Sequence, residues 1–135
     1  SSGKNAGFTD DEEAWMKINP NYTTINVEDD LKNPDSVIDF YKQLIRLRHL
    51  NDELNYGSYR MIAKSNRQVI AFLREYEGRR LLIAVNMTGR PARIDLGELE
   101  YRKGHIILGT HGSEKYSRFL TMQPFEGRIY RVGEA

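Results

Sequence analysis

Apolar side chains recur at helical spacing between residues 37 and 54, which predicts one long amphipathic helix. Asn33 is the expected N-cap, and Pro34 suits the first helical position. We expect the helix to end near Asn55, with Gly57 closing it. The apolar stripe is wider than one small packing face requires, so burial on more than one side is expected. Its members are Val37, Ile38, Phe40, Tyr41, Leu44, Ile45, Leu47 and Leu54.

From Ser58 onward, short segments rich in β-branched and aromatic residues alternate with turn formers, which predicts strands. These segments are residues 59–64, 68–76, 80–87, 92–96, 105–109, 118–122 and 127–132. Residues 69–73 and 81–85 are apolar at consecutive positions, so we expect cover on both faces, from the helix or from a neighbour outside this chain. The pattern predicts a mainly β fold, in which one helix precedes an antiparallel β-sandwich.

Residues 4–35 hold many turn formers and few periodic apolar positions, which predicts a long loop with one helical turn at Glu28–Leu31. Five large apolar side chains in this segment argue against disorder, because each favours a surface to cover. They are Trp15, Ile18, Tyr22, Ile25 and Val27. Two interpretations remain open: the loop packs on its own domain, or it packs on something outside this chain.

The length and composition of the chain exclude several classes of protein and of functional site. The chain has 135 residues, too few for a complete (β/α)₈ barrel of roughly 250. A net charge of +1 gives no basic field of the kind that nucleic-acid-binding proteins carry. The absence of cysteine excludes a disulfide scaffold, a cysteine zinc site and a thiol nucleophile. With no apolar run of membrane length and no visible signal peptide, we expect a cytoplasmic protein without membrane or nucleic-acid partners.

The residues offer no catalytic constellation of their own. His49, His105 and His111 lack metal-ligand spacing, so no metal site is predicted. The acidic runs at residues 10–13 and 28–30 are interpreted as solvated rather than catalytic. Dispersed aromatics such as Trp15, Tyr22, Tyr101 and Tyr116 favour packing over stacking on sugars. The sequence begins Ser-Ser-Gly without an initiator methionine, and we interpret it as a piece of a longer protein.

Several motifs resemble a known family in the same order along the chain. KNAGFT at residues 4–9, WMKINPNY at 15–22 and INV at 25–27 resemble the late barrel loop of the α-amylase superfamily, glycoside hydrolase family 13. The closest likeness is to its oligo-1,6-glucosidase and α-glucosidase branch. Residues 35–48 resemble the eighth barrel helix of that family. Four further motifs resemble its C-terminal β-sandwich: YGSY at 56–59, AFLRE at 71–75, LIAVNM at 82–87 and QPFE at 123–126.

The resemblance implies a division of the chain and of its function. Residues 1–56 would be the tail of a (β/α)₈ barrel, comprising its last loop and helix, and residues 57–135 a C-terminal sandwich of Greek-key type. Family members cleave α-glucosidic bonds by a retaining mechanism, with an Asp nucleophile, a Glu acid/base and a third Asp. No residue here matches those three positions, so the chain is expected to be inactive alone and to stabilise the barrel of an intracellular parent enzyme.

The resemblance also implies partners and a candidate site. The expected partners are the parent's own catalytic barrel and its α-gluco-oligosaccharide substrate; no cofactor is implied, and the isolated chain is expected to self-associate. Since barrel loops build the substrate pocket, five loop residues would lie at its edge. They are Asn5, Phe8, Trp15, Asn19 and Tyr22. Two alternative functions remain: a carbohydrate-binding β-sandwich module and a general protein-interaction sandwich.

Overall fold

The computed structural model describes residues 1–101, 103–112 and 115–133. It divides the chain into two compact units, Ser1–Leu50 and Asn51–Ala135. The boundary predicted between residues 56 and 57 stays a prediction. Within these described ranges, three α-helices and seven strands are labelled in chain order. They are α1 (Val27–Asp30), α2 (Val37–Leu50), α3 (Asp52–Asn55), β1 (Ser58–Ile62), β2 (Val69–Tyr76), β3 (Arg79–Asn86), β4 (Ala92–Asp95), β5 (Gly104–Gly109), β6 (Phe119–Met122) and β7 (Gly127–Val132).

The first unit contains the predicted loop and most of the predicted helix. The helical turn expected at residues 28–31 is present as α1, one residue earlier. Two 3₁₀ turns, at Lys4–Gly7 and Pro20–Thr23, were not predicted. Within the described ranges, no helix reaches the length and hydropathy that a membrane crossing requires.

The predicted N-cap of the long helix is wrong. The Asn33 side chain accepts a hydrogen bond from the Asp35 N–H, and its carbonyl accepts one from the Ser36 N–H, so Asn33 forms a turn before the helix. Helix α2 begins at Val37, where Ser36 Oγ accepts from the Asp39 N–H at 3.2 Å. Ser36 therefore caps the helix, because its hydroxyl reaches a free N–H of the first turn.

The predicted end of the helix is also wrong. Helix α2 stops at Leu50, and a separate short helix, α3, follows. The break lies at Asn51, whose backbone is extended and whose side-chain oxygen accepts a hydrogen bond from Arg131. Gly57 does close a helix, but that helix is α3: its N–H donates to the carbonyl of Glu53 at 3.2 Å.

The second unit consists of two antiparallel sheets, which confirms the predicted fold class. One sheet has the order β1-β2-β3-β7-β5, and the other pairs β4 with β6. The chain thus changes sheet at each step from β3 to β7. Strands β2 and β3 are joined at Glu77 and Gly78, where both residues have positive φ, as tight hairpin turns require. All seven strands lie within a few residues of their predicted positions.

The hydrophobic core lies between the two sheets. Ala71, Leu82 and Tyr130 line one side of it, and Ile94 and Leu120 line the other. On the outer face of the five-stranded sheet the two doubly apolar strands differ. Leu81 and Ile83 of β3 are buried, whereas Ile70 of β2 is 40% exposed. The expected cover on both faces is therefore present for β3 and incomplete for β2 in this chain.

A buried ion pair closes the core beside the turn between β6 and β7. Arg128 donates from Nε and Nη2 to both oxygens of Glu126, at 2.6 and 2.7 Å, and from Nη2 to the Thr121 carbonyl. Burial opposes ionisation of Glu126. The hydrogen bonds from Arg128 and the Gln123 N–H outweigh it and hold the pKa of this carboxyl below its usual 4.5.

We expect Glu126→Gln to lower the free energy of unfolding at pH 7 by about 3 kcal/mol, because it leaves the Arg128 charge buried without a counter-charge. Since the folded pKa of Glu126 is lowered, its contribution is present above pH 4.5 and is lost as pH falls through the folded value. Urea unfolding at pH 7 and pH 3 measures both effects. An equal difference between wild type and variant at the two pH values would contradict this account.

Candidate functional site

The first unit contains an open hollow of about 560 Å³. Four of the five predicted pocket-edge residues line it: Phe8, Trp15, Asn19 and Tyr22. Asn5 does not, and instead braces the loop, because its side-chain amide donates to the carbonyls of Thr9 and Asp11 at 3.3 and 2.8 Å. The structure therefore brings the loop aromatics together around one concavity.

Asparagine side chains that cap helical turns fix the backbone along one wall of this hollow. Asn19 accepts from the Asn21 N–H at 3.3 Å and starts the 3₁₀ turn that contains Tyr22. Asn26 caps α1 by accepting from the Asp29 N–H at 3.0 Å, and it donates to the Tyr22 carbonyl at 3.0 Å. Hydrogen bonds from Asn26 and then Lys32 lower the pKa of Asp29. Local polar contacts therefore fix the backbone at Tyr22.

The aromatic side chains of the hollow differ in burial. Trp15 is 94% exposed and Phe8 83% exposed, whereas Tyr22 is half-buried. Ile25 and Val27 are also exposed, and Ile18 is half-buried. The first interpretation, that the loop packs on its own domain, therefore holds only in part, because several large apolar side chains of the loop stay exposed in this chain.

The lining supplies aromatic rings and amide groups rather than acids. Among the described residues that line the hollow, none is Asp, Glu or His. Over the described parts of the chain, no three His, Asp or Glu side chains group together as metal ligands would. Aromatic faces with a few amides suit a sugar ring or an apolar protein surface, whereas proton transfer in glycoside cleavage needs carboxyl groups.

A second cluster, in the second unit, was missed by sequence reasoning. Glu53 of α3 is fully buried, and its Oε1 lies 2.7 Å from Arg131 Nη1 and 3.7 Å from Arg79 Nε. Arg74 donates to the carbonyls of Glu53 and Leu54 at 3.1 and 3.3 Å. The arginines lie 21 to 78 residues away in sequence, so no local pattern around Glu53 could reveal them.

This cluster, which we call the Glu53 clamp (Glu53 with Arg74, Arg79 and Arg131), is closed to substrate. Glu53 Oε2 is buried and has no hydrogen-bond partner. A carboxylate enclosed in this way does not reach a ligand in solvent, but it holds α3 against β2 and β3. We therefore assign the clamp a structural role.

Tyr101 and Tyr116 pack against the core. The Tyr116 hydroxyl donates to the Tyr101 carbonyl at 2.9 Å, and its ring meets Tyr130 edge-on at 5.5 Å between centroids. The packing role predicted for the dispersed aromatics is confirmed for these two residues and is wrong for Trp15, which is 94% exposed.

Comparison with known families accounts for both units. The α-amylase catalytic-domain model matches residues 1–57, and the maltogenic amylase C-terminal-domain model matches residues 59–129. The chain belongs to the α-amylase superfamily. The resemblance inferred from the sequence motifs is thereby confirmed, and the boundary between the two models lies at the start of β1.

Similar α-amylase superfamily proteins include several sugar-processing enzymes. Over 129 residues the chain is 33% identical to the oligo-1,6-glucosidase of Bacillus cereus, covering 94% of this chain and 23% of that protein. It is 30% identical over 132 residues to the trehalose-6-phosphate hydrolase of Bacillus subtilis, covering 96% and 23%. A mutant isomaltulose synthase from Erwinia rhapontici in complex with sucrose superposes with a TM-score of 0.89 at 32% identity, covering 99% and 24%. The chain thus spans about a quarter of the length of these relatives.

A substitution at Gly57 tests how closely this residue packs against α3, which the Glu53 clamp holds on the sheet. A Cβ at this position would lie 2.3 Å from the Glu53 carbonyl oxygen, so Gly57→Ala should displace α3 and lower the free energy of unfolding by about 2 kcal/mol. Gly89→Ala is the matched control, because its Cβ would meet only the Phe125 ring, at 3.4 Å. Urea unfolding compares the two variants, and equal stabilities would refute the close fit at Gly57.

Proposed function

We propose that the chain is the non-catalytic C-terminal part of an intracellular, cytoplasmic α-glucosidase-type hydrolase similar to the oligo-1,6-glucosidases, and that it stabilises the catalytic barrel of that enzyme. The observation that carries this proposal is the boundary near residue 58. The catalytic-domain model ends at residue 57, and the C-terminal-domain model begins as β1 starts. A chain that joins the end of a barrel domain to a domain of another kind would match the two models in this order, which supports the proposal.

Three carboxylates of the second unit support a non-catalytic role. A retaining glycosidase needs two carboxyl groups roughly 5 Å apart, one of which holds a proton to donate. Here Glu53, Glu126 and Asp95 each face an arginine, at 2.7, 2.6 and 2.9 Å. The hydrogen bond from Arg118 lowers the pKa of Asp95. The hydrogen bonds from Arg128 and the Gln123 N–H likewise lower the pKa of Glu126. An acid with a lowered pKa is ionised at neutral pH and has no proton to give.

Helix α2 supports the link to a barrel. It has no fully buried residue, and several of its apolar side chains are more than half exposed. They are Val37, Tyr41, Ile45 and Leu50. An isolated helix of 14 residues is marginal in water, so such a helix takes its stability from packing an apolar face. In a (β/α)₈ barrel the strands and neighbouring helices provide that cover.

The hollow of the first unit is proposed as part of the rim of the substrate pocket. Phe8 and Trp15 present large exposed rings, and Asn19 adds an amide. This combination suits the apolar faces and hydroxyl groups of an α-gluco-oligosaccharide.

Hydrolysis of 4-nitrophenyl α-glucoside tests the division of roles. The purified 135-residue chain should show no saturable cleavage, and the full-length enzyme that contains it should hydrolyse the substrate. Saturable cleavage by the chain alone would overturn the non-catalytic assignment. An inactive but folded full-length protein would overturn the glycosidase assignment.

In the full-length enzyme, Phe8→Ala or Trp15→Ala should change KM or kcat by about fivefold, because each removes an aromatic contact with substrate. Phe125→Ala is the control, since it removes an exposed aromatic side chain of the second unit. Steady-state kinetics on isomaltose measure the effect, with the melting temperature as a check of folding. Unchanged kinetics in well-folded Phe8 and Trp15 variants would exclude these residues from the pocket rim.

A further inference from the structure

Phe125, in the turn between β6 and β7, combines an unfavourable backbone conformation with an exposed aromatic ring. Its φ is 55°, in the left-handed region that a bulky residue rarely adopts. The side chain is 68% exposed, so burial of the ring does not compensate for this strain. A strained residue that presents its side chain to solvent is typical of a ligand-binding position.

Buried polar side chains hold this turn against the neighbouring loop between β3 and β4. Asn86 is 1% exposed and donates from its side chain to the Gln123 carbonyl at 2.8 Å. Glu126 is fully buried and accepts from the Gln123 N–H at 2.6 Å. The Phe125 N–H donates to the Thr88 carbonyl at 3.1 Å. Both loops are therefore fixed before a ligand arrives, so little ordering entropy opposes binding.

Polar groups lie close to the exposed ring. A Cβ at Gly89 would lie 3.4 Å from a ring carbon of Phe125, so a side chain there would cover part of the ring that glycine leaves open. The Gln68 side-chain amide donates to the Thr88 hydroxyl at 3.3 Å, and Met87 of the same loop is 58% exposed. We call these five residues the Phe125 site. An aromatic ring beside amide and hydroxyl groups suits the apolar face and the hydroxyl groups of a sugar.

The exposed apolar surface of the Phe125 site is small. A stable protein–protein interface buries about 1,200–2,000 Å² in total. A phenylalanine side chain supplies about 150–250 Å², and Met87 is the other large apolar side chain exposed on these two loops. The surface is therefore too small for a protein partner, whereas a single pyranose ring is about as wide as the phenylalanine ring.

We infer that the Phe125 site binds one glucose unit of an α-gluco-oligosaccharide, an inference that rests on the proposed function for the identity of the sugar. Phe125 stacks on the pyranose, and Gln68 and Thr88 meet its hydroxyl groups. Glu126 is the one carboxylate of these two loops, and it is buried in its pair with Arg128. The site therefore holds a sugar without cleaving it, and Phe125→Ala leaves isomaltose hydrolysis unchanged.

NMR titration of the 135-residue chain with maltose and isomaltose tests this inference, with glycerol as the control for a general solvent effect. The amide resonances of residues 87–89 and 125–127 should shift saturably. Phe125→Asn should weaken binding about tenfold, the loss expected when an aromatic anchor is removed. Phe125→Tyr keeps a ring and should leave the affinity unchanged. Phe119→Ala is the matched control, because it removes an exposed ring from the two-stranded sheet.

The urea midpoint shows that the decisive variant is folded. Asparagine adopts the left-handed conformation more readily than phenylalanine does, so Phe125→Asn should be at least as stable as the wild type. Lost binding in a variant of undiminished stability is the result expected from a binding role. If Phe125→Asn binds the sugars as tightly as the wild type, the ring is not the binding surface and the inference is overturned.

Three other results also overturn the inference. If only residues 8–27 shift, the sugar binds the hollow of the first unit and the proposed function stands. If no resonance shifts, the Phe125 site binds neither disaccharide. If light scattering shows that Phe125→Asn converts a dimer of the chain into a monomer, the ring faces a second copy. Hydrolysis of 4-nitrophenyl α-glucoside by the full-length enzyme tests the proposed function independently, whatever the Phe125 site binds.

Discussion

The buried carboxylate of Glu53 organises the packing of α3 on the five-stranded sheet. Three arginines from β2, β3 and β7 converge on α3, two on the carboxylate and one on backbone carbonyls. A buried ion pair of this kind adds little net stability compared with an apolar replacement, but loss of one partner is severe. Its main effect is therefore on geometry: α3 has one position on the sheet, and β1 begins from a defined point.

Glu126 and Arg128 fix the geometry of the core, as the Glu53 clamp fixes the position of α3 on the outer face of the five-stranded sheet. Arg128 reaches both carboxylate oxygens of Glu126 and the carbonyl of Thr121 in β6, so the pair ties the two sheets together. Asn86 adds hydrogen bonds to the carbonyls of Arg90 and Gln123. Each sheet connection thus combines apolar burial, which gives the stability, with a polar contact that permits one register.

Local sequence signals predicted the strands, since β-branched segments and turns such as Glu77–Gly78 act over a few residues. The same signals failed at the helix ends. Asn33 and Ser36 are both suitable caps, and only the folded chain shows which one meets a free N–H. The Glu53 clamp depends on residues as far away as Arg131. The loop residues were named from a family resemblance, and the hollow that four of them share became visible only in three dimensions.

Tyr59 and Met61 of β1 and Ile70 of β2 form an exposed apolar surface, which has a consequence for biosynthesis. Under the proposed function, the ribosome makes the barrel before the sandwich. At about 5–20 residues per second, strands β1 and β2 emerge after most of the barrel has been made. A truncated or separately expressed sandwich is made without the barrel and presents edge strand β1 together with an apolar face. The order of domains along the polypeptide thus shortens the time during which an exposed apolar surface can contact other nascent chains.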